Sequence, residues 1–235
     1  MNRWWKTILF IVGAAVLTRF IPFSSFFKSV DTLIHEFGHA LMTLLVSGKV
    51  WYIHLFADHS GVTYSSAAHA WQFIPIALAG YLTSALFAML LFFLYSRGRT
   101  QVGLIVLTVL TAVCLLFFLR NSFGVTWGIG FILLSGAVCF APWRWLQEFY
   151  YLLVAFICLV ESVLSPLILV MLSVQSPSQA GDAANLARMT AIPALFWSLL
   201  FVLATIACAR VSMSLFFKPR PVREQVRTSA WHQRN

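Results

Sequence analysis

The chain has 235 residues, of which 60% are hydrophobic and 10% are charged, and its mean hydropathy is +0.86. Such a chain has too few polar side chains to cover a soluble globule, so the composition excludes an ordinary soluble domain and indicates a polytopic membrane protein. The formal net charge of +9 does not indicate nucleic-acid binding, because five of the basic residues follow the last apolar segment, where cytoplasmic positive charge is expected.

Seven apolar segments are long enough, or nearly long enough, to cross a hydrocarbon core, which takes about 20 helical residues. They lie at residues 4–22, 30–47, 72–95, 101–119, 123–141, 147–172 and 191–217. The fifth segment contains four glycines, which allow it to bend or re-enter, so six spans are an alternative. The predicted fold class is therefore an all-α polytopic membrane protein with six or seven transmembrane helices.

The first segment begins near Arg3 and Lys6, as a signal peptide would. No small-residue cleavage site precedes its end, so an uncleaved first span is expected. Residues 1–217 are expected to form one membrane-embedded domain, and residues 218–235 a basic cytoplasmic tail.

The second segment contains the sequence HEFGH, an HExxH motif that begins at His35. Residues four apart share one face of a helix, so His35 and His39 can present two imidazoles to one Zn²⁺. Glu36 lies beside them and is suited to take a proton from water as a general base. The alternative is a pair of histidines that are hydrogen-bonded within a helical bundle.

Three further residues near the motif have predicted roles. Asp31 precedes His35 by one helical turn and is expected to cap the start of the second helix; orientation of His35 is its alternative role. Gly38, and Gly80 in the third segment, are expected to let helices approach each other closely.

Residues 49–66 have the pattern of a β-hairpin. Residues 50–53 and 62–64 are rich in β-branched and aromatic side chains, and the sequence Asp-His-Ser-Gly at 58–61 favours a turn. An open hairpin edge within lipid would leave backbone groups unpaired, so the hairpin is expected at the membrane interface or beside a protein-enclosed cavity. Beside a zinc site, such an edge could pair with the backbone of a substrate.

With HEFGHA in an early apolar helix, a hairpin after it and a later Gly-Asp-Ala-Ala sequence at 181–184, the chain resembles the site-2 protease group of membrane zinc metallopeptidases, and its small bacterial branch in particular. The resemblance implies a multi-pass protein of the cell membrane that cleaves peptide bonds within or beside transmembrane segments. It also implies that His35, His39 and a distant aspartate hold Zn²⁺, with Glu36 as the base. The aspartate that matches is Asp182.

The surroundings of Asp182 depart from the family pattern, because the usual NPxxxxDG sequence is absent. A carboxylate nevertheless suits Zn²⁺ beside two imidazoles, since catalytic zinc sites have three protein ligands and one open position. A role as a helix N-cap is equally supported. The other candidates for a third ligand are Glu161, for which pairing with a cation or polar neighbour is the favoured role, and His54 or His59 of the hairpin.

The distribution of basic residues predicts an orientation. With the C-terminal tail in the cytoplasm, seven spans place eleven basic residues on the cytoplasmic side and five outside. His35 then lies near the cytoplasmic end of its helix and Asp182 at the outer end of another, about 30 Å away across the bilayer core. The two can meet only if one segment re-enters, for which the glycine-rich fifth is the best candidate, or if the loop carrying Asp182 folds inward.

The sequence therefore predicts an intramembrane zinc metalloprotease whose partners are the lipid bilayer and a transmembrane or membrane-proximal peptide substrate. One alternative is a non-catalytic, protease-like membrane protein that binds metal or membrane-protein partners, but the intact Glu36 argues against it. A metal or small-solute transporter is a third alternative, which would need several intramembrane carboxylates along a path. The sequence carries no signal for the oligomeric state.

Overall fold

A computed structural model describes residues 24–218. In this range the helices are α1 (Ser24–Leu45), α2 (Phe73–Ser96), α3 (Thr100–Phe117), α4 (Ser122–Phe140), α5 (Arg144–Gln175), α6 (Gly181–Thr190) and α7 (Ala194–Phe216). The strands β1 (Lys49–Leu55) and β2 (Gly61–Ser66) form one antiparallel sheet. The predicted first span at residues 4–22 and nearly all of the predicted tail lie outside the described residues.

Five helical segments are long and apolar enough to cross a membrane. They are Ala70–Ser96, which includes a short 3-10 turn before α2, Thr100–Phe117, Ser122–Phe140, Arg144–Gln175 and Ala194–Phe216. They correspond to the third through seventh predicted segments, so the all-α polytopic fold is confirmed and the chain is a multi-pass membrane protein. The helix α1 is not among the five, and it carries three charged side chains, Lys28, Asp31 and Glu36.

The start of α1 differs from the sequence prediction. The helix begins at Ser24, whereas the apolar segment was predicted to begin at residue 30. The reason is that Lys28 lowers the local hydropathy before residue 30, although it lies within a continuous helix. His35 consequently lies in the middle of α1 and His39 in its second half, not near the start of the helix as predicted. Asp31 is inside the helix, so its predicted role as the N-cap is wrong.

The direction of the helices places the end of α5 beside the second half of α1. Helices α1 and α2 are antiparallel, since Ser84 Oγ lies 3.5 Å from the carbonyl oxygen of Asp31 and His39 Nδ1 lies 2.7 Å from that of Ile76. Helix α5 is antiparallel to α2 as well: Tyr151, near its start, donates to the carbonyl of Leu91 at 2.7 Å, and Leu169, nearer its end, lies in one cluster with Ala77, near the start of α2. Helices α1 and α5 therefore run in the same direction.

The segment after α5 folds back against the bundle. Ala180 and Ala183 are fully buried in a cluster that includes Ala77 and Tyr81 of α2 and Leu169 of α5. This return brings the start of α6 to the level of the motif in α1. The glycine-rich fifth segment is a continuous helix, α4, so the inward fold of the segment carrying Asp182, and not a break in the fifth segment, brings the two regions together.

The predicted hairpin is confirmed, with Ile53 opposite Thr63 and Leu55 opposite Gly61. The outer edge of β1 is covered by the connection between α3 and α4: the Ile53 amide donates to the Phe118 carbonyl at 2.8 Å. The side chain of Asn121 accepts from the Leu55 amide and donates to its carbonyl. These bonds satisfy backbone groups that an open edge would leave unpaired, and they fix the hairpin against the helices.

Candidate metal centre

Helices α1 and α2 contact each other closely at two glycines. A Cβ atom on Gly38 would lie 2.7 Å from Thr83 Oγ1, and one on Gly80 would lie 2.5 Å from His35 Cε1. Real Cβ atoms do not approach other heavy atoms so closely, so only glycine fits at these positions without a shift of its neighbours. The predicted close approach of helices at both glycines is confirmed, and Gly80 faces the two motif histidines.

Three side chains that can ligate a metal ion lie together where α1 and α2 meet. His35 Nε2 and His39 Nε2 are 3.0 Å apart, and Asp182 Oδ2 lies 3.2 Å from each of them. His39 Nδ1 is 2.7 Å from the Ile76 carbonyl oxygen, so it is an N–H that donates there, and the Nε2 atom of the same ring is the one directed at His35 and Asp182. The structure thus brings together the three residues that the sequence nominated as metal ligands.

The spacing of these atoms fits a zinc ion. Nitrogen and oxygen ligands of tetrahedral Zn²⁺ lie about 2.0–2.1 Å from the metal, which puts them about 3.3 Å from one another. The three observed separations of 3.0–3.2 Å are close to that value. Two neutral imidazoles and one carboxylate also form a donor set that zinc accepts, and they leave a fourth position for water or substrate.

Asp182 lies in the first turn of α6, two residues after Ala180, which precedes the helix. It is therefore not the N-cap, and the interpretation of Asp182 as a cap is wrong. Burial raises the pKa of its carboxyl group, but the charges and hydrogen bonds of His39 and His35 outweigh burial and hold that pKa well below its ordinary value. The carboxylate is thus the favoured form, as metal ligation requires.

Glu36 is buried next to these three residues and is held by the hairpin. Thr63 Oγ1 donates to Glu36 Oε2 at 2.6 Å and lies 2.9 Å from the Glu36 carbonyl oxygen. Gly61 lies close to the same side chain, since a Cβ there would be 2.7 Å from Glu36 Cγ. The hairpin therefore fixes one carboxylate oxygen of Glu36 through Thr63. A residue with a side chain would not fit at position 61 without a shift of Glu36.

A cavity of about 710 Å³ opens beside the centre. Its walls come from α1, α2, the hairpin, α5 and α6, and they include Tyr81, whose ring is 4.5 Å from that of His35. Residues 61–63 and 65 of β2 line it, as expected for a hairpin beside a protein-enclosed cavity. Its volume is in the range of pockets that bind small ligands.

The alternative ligands lie elsewhere. Glu161 Oε1 is 3.1 Å from Lys28 Nζ, so it has the ion-pair role that the sequence analysis favoured. His54 stacks on Tyr52 of the hairpin, with ring centroids 4.6 Å apart. His59 lines the cavity but is not part of the three-residue group. Among the described residues, only His35, His39 and Asp182 form a metal-type cluster of this kind.

A family model described as Peptidase M50B-like matches residues 8–212. The chain belongs to the Peptidase M50B-like family. The match covers the motif, the hairpin and all but the last residues of α7, so the family assignment extends over nearly the whole fold. No curated protein and no solved structure matches the chain.

Within this M50B-like chain, several residues of the centre were not identified from the sequence. Thr63 and the Ile76 carbonyl hold Glu36 and His39, yet they follow the motif by tens of residues and carry no chemical signature of their own. The strand that contains Thr63 was predicted correctly, but the sequence does not show that this strand packs against Glu36. Tyr81, next to Gly80, is of a residue type common in membrane helices, so the sequence gives no sign of its ring contact with His35.

Proposed function

We propose that this M50B-like protein is a membrane-embedded zinc endopeptidase. The observation that carries the proposal is the convergence of two imidazole nitrogens and one carboxylate oxygen, within 3.2 Å of one another, beside a buried glutamate on the same helix as the two histidines. His35, His39 and Asp182 would hold Zn²⁺. When bound, zinc supplies a lowered water pKa, near neutrality, and polarises the scissile carbonyl.

Glu36 is the proton carrier of the proposed reaction. Its carboxylate takes a proton from the attacking water and returns it to the nitrogen of the leaving amine, so the peptide bond is replaced by an acid and an amine. The Thr63 hydroxyl donates a hydrogen bond to Glu36 Oε2, so we assign the proton transfer to Glu36 Oε1. Thr63 also keeps the carboxylate from rotating away from the cavity, which makes it a positioning residue.

The proposed substrate is a transmembrane or membrane-proximal peptide in an extended form. Helical backbone satisfies its own hydrogen bonds, so a substrate must unwind locally before its carbonyl groups can reach the centre. Strand β2 lines the cavity and pairs with β1 on one side. Its other edge is suited to pair with an extended substrate backbone, as in other cases of strand addition.

The test is a comparison of the full-length wild-type protein with Glu36→Gln in detergent or proteoliposomes. Glutamine keeps the shape and the hydrogen bond to Thr63 but cannot carry the proton, so we expect unchanged zinc content and a complete loss of cleavage of a membrane-protein substrate. Cleavage that persists in Glu36→Gln would refute the proposed mechanism. Zinc retention with no cleavage by the wild type, across a broad set of substrates, would favour the non-catalytic alternative.

A further inference from the structure

The cavity has a second polar region away from the candidate metal centre. Four residues form it, and we call this region the serine branch: Asp31 on α1, Ser84 on α2, and Ser162 and Ser165 on α5. Asp31 precedes His35 by four residues of one helix, which corresponds to about 6 Å along the helix axis. The branch is therefore within reach of one long side chain attached to a backbone at the metal centre.

Asp31 has no ion pair in the part of the chain that the structure describes. The residue is 6% exposed, and its Oδ1 atom is buried without a hydrogen-bond partner. Lys28, one turn away, is paired with Glu161 at 3.1 Å, so its charge is already engaged. A buried carboxyl oxygen without a partner is costly and rare in folded proteins, which indicates that a donor from outside the described residues belongs there.

A proline adds another acceptor to the branch. Pro166 lies inside α5 and has no N–H, so the carbonyl of Ser162 cannot receive the usual helical hydrogen bond from residue 166. Ser162 and Ser165 both line the cavity at this point. The branch therefore combines an unpaired carboxyl oxygen, a carbonyl oxygen released from the helix and three hydroxyl groups.

We infer that the serine branch is a subsite for the basic side chain of a substrate residue next to the scissile bond, with lysine as the best fit. The inference rests on the proposed function, because it places the substrate backbone at the metal centre. An ammonium group has three donors and a flexible four-carbon stem about 6 Å long, which match the acceptors and the distance. An apolar side chain would leave the Asp31 Oδ1 atom unpaired, and an acidic one would bring a second carboxyl group to it in place of a donor.

The test measures peptide binding instead of turnover. Fluorescein-labelled alanine–leucine peptides with a central lysine, norleucine or glutamate are titrated against full-length, zinc-loaded Glu36→Gln protein in detergent, with fluorescence anisotropy as the readout. We expect the lysine peptide to bind about tenfold or more tightly than the norleucine peptide, as for a charged hydrogen bond, and the glutamate peptide to bind most weakly. Adding Asp31→Asn to the same protein should abolish the difference between lysine and norleucine.

Two controls separate a local effect from a general one. Ser29→Ala removes another buried and unpartnered polar group of α1 that does not line the cavity, so it should keep the lysine preference. Asp31→Glu keeps the charge and should keep a preference as well; Asp31→Ser is a second charge-removing variant, should Asp31→Asn fail to fold.

Equal binding of the lysine and norleucine peptides, failure of all three peptides to bind, or a lysine preference that survives both Asp31→Asn and Asp31→Ser would overturn the subsite. The proposed function is tested separately by cleavage of the lysine peptide. A wild-type protein that prefers lysine in binding but cleaves nothing would contradict the peptidase and leave the subsite standing.

Discussion

Substitution of Gly80 by alanine should disrupt the metal centre without disrupting the helix that carries it. A Cβ at this position would lie 2.5 Å from His35 Cε1 and 2.6 Å from the Nε2 atoms of both His35 and His39. Ordinary contacts between heavy atoms are about 3.5–4.0 Å, so the two rings must move by about 1 Å. Metal–ligand distances tolerate only about 0.2 Å, and the expected loss of zinc affinity is therefore about 100-fold or more.

The assay is zinc retention by the purified protein against a competing chelator, compared between Gly80→Ala, wild type and Gly136→Ala. The control glycine is also in a membrane helix, but a Cβ there meets nothing within 4 Å. Alanine is the better helix former by about 1 kcal/mol, so neither substitution should unfold its helix through propensity. If Gly80→Ala retains zinc as tightly as Gly136→Ala, Gly80 does not adjoin the ligands as described.

Three further predictions concern the residues around the centre. Thr63→Val removes the hydroxyl that holds Glu36 and should slow cleavage roughly 10–100-fold with unchanged zinc content; an equal loss of zinc would contradict a positioning role. Lys28→Met leaves Glu161 without its cation and should lower the free energy of unfolding by roughly 1–3 kcal/mol. The measurement is thermal or denaturant unfolding in detergent, and Glu161→Gln added to Lys28→Met should restore part of the lost stability. Asn121→Ala removes both hydrogen bonds to the end of β1 and should speed hydrogen exchange there; unchanged exchange would show that the hairpin does not depend on this side chain.

The motif was predictable because its geometry is local. His35 and His39 are one helical turn apart, so a helix alone places both on one face, and the two glycines of the α1–α2 contact could be recognised by their lack of a side chain. The hairpin was predictable for the same reason, since its strands and turn are adjacent in sequence. The ion pair of Glu161 followed from the cost of burying an acid in a membrane helix.

The relation between Asp182 and the motif depended on where helices begin and how the chain returns after α5. Hydropathy placed the start of α1 six residues too late, because Lys28 is charged even though it lies inside the helix. That error placed His35 near the start of its helix, when it lies in the middle, and made Asp182 seem out of reach. The inward packing of Ala180 and its neighbours is a tertiary contact of small residues, which hydropathy does not register.

The most direct test of the central claim is the amount of zinc per polypeptide in detergent-purified full-length protein, for wild type, His35→Ala and Asp182→Ala. The account predicts about one zinc per wild-type chain, as for a single site of three protein ligands, and loss of that zinc in both variants. Zinc that is retained in Asp182→Ala would contradict the proposed ligand set, and a wild-type protein that binds no zinc would contradict the proposed enzyme.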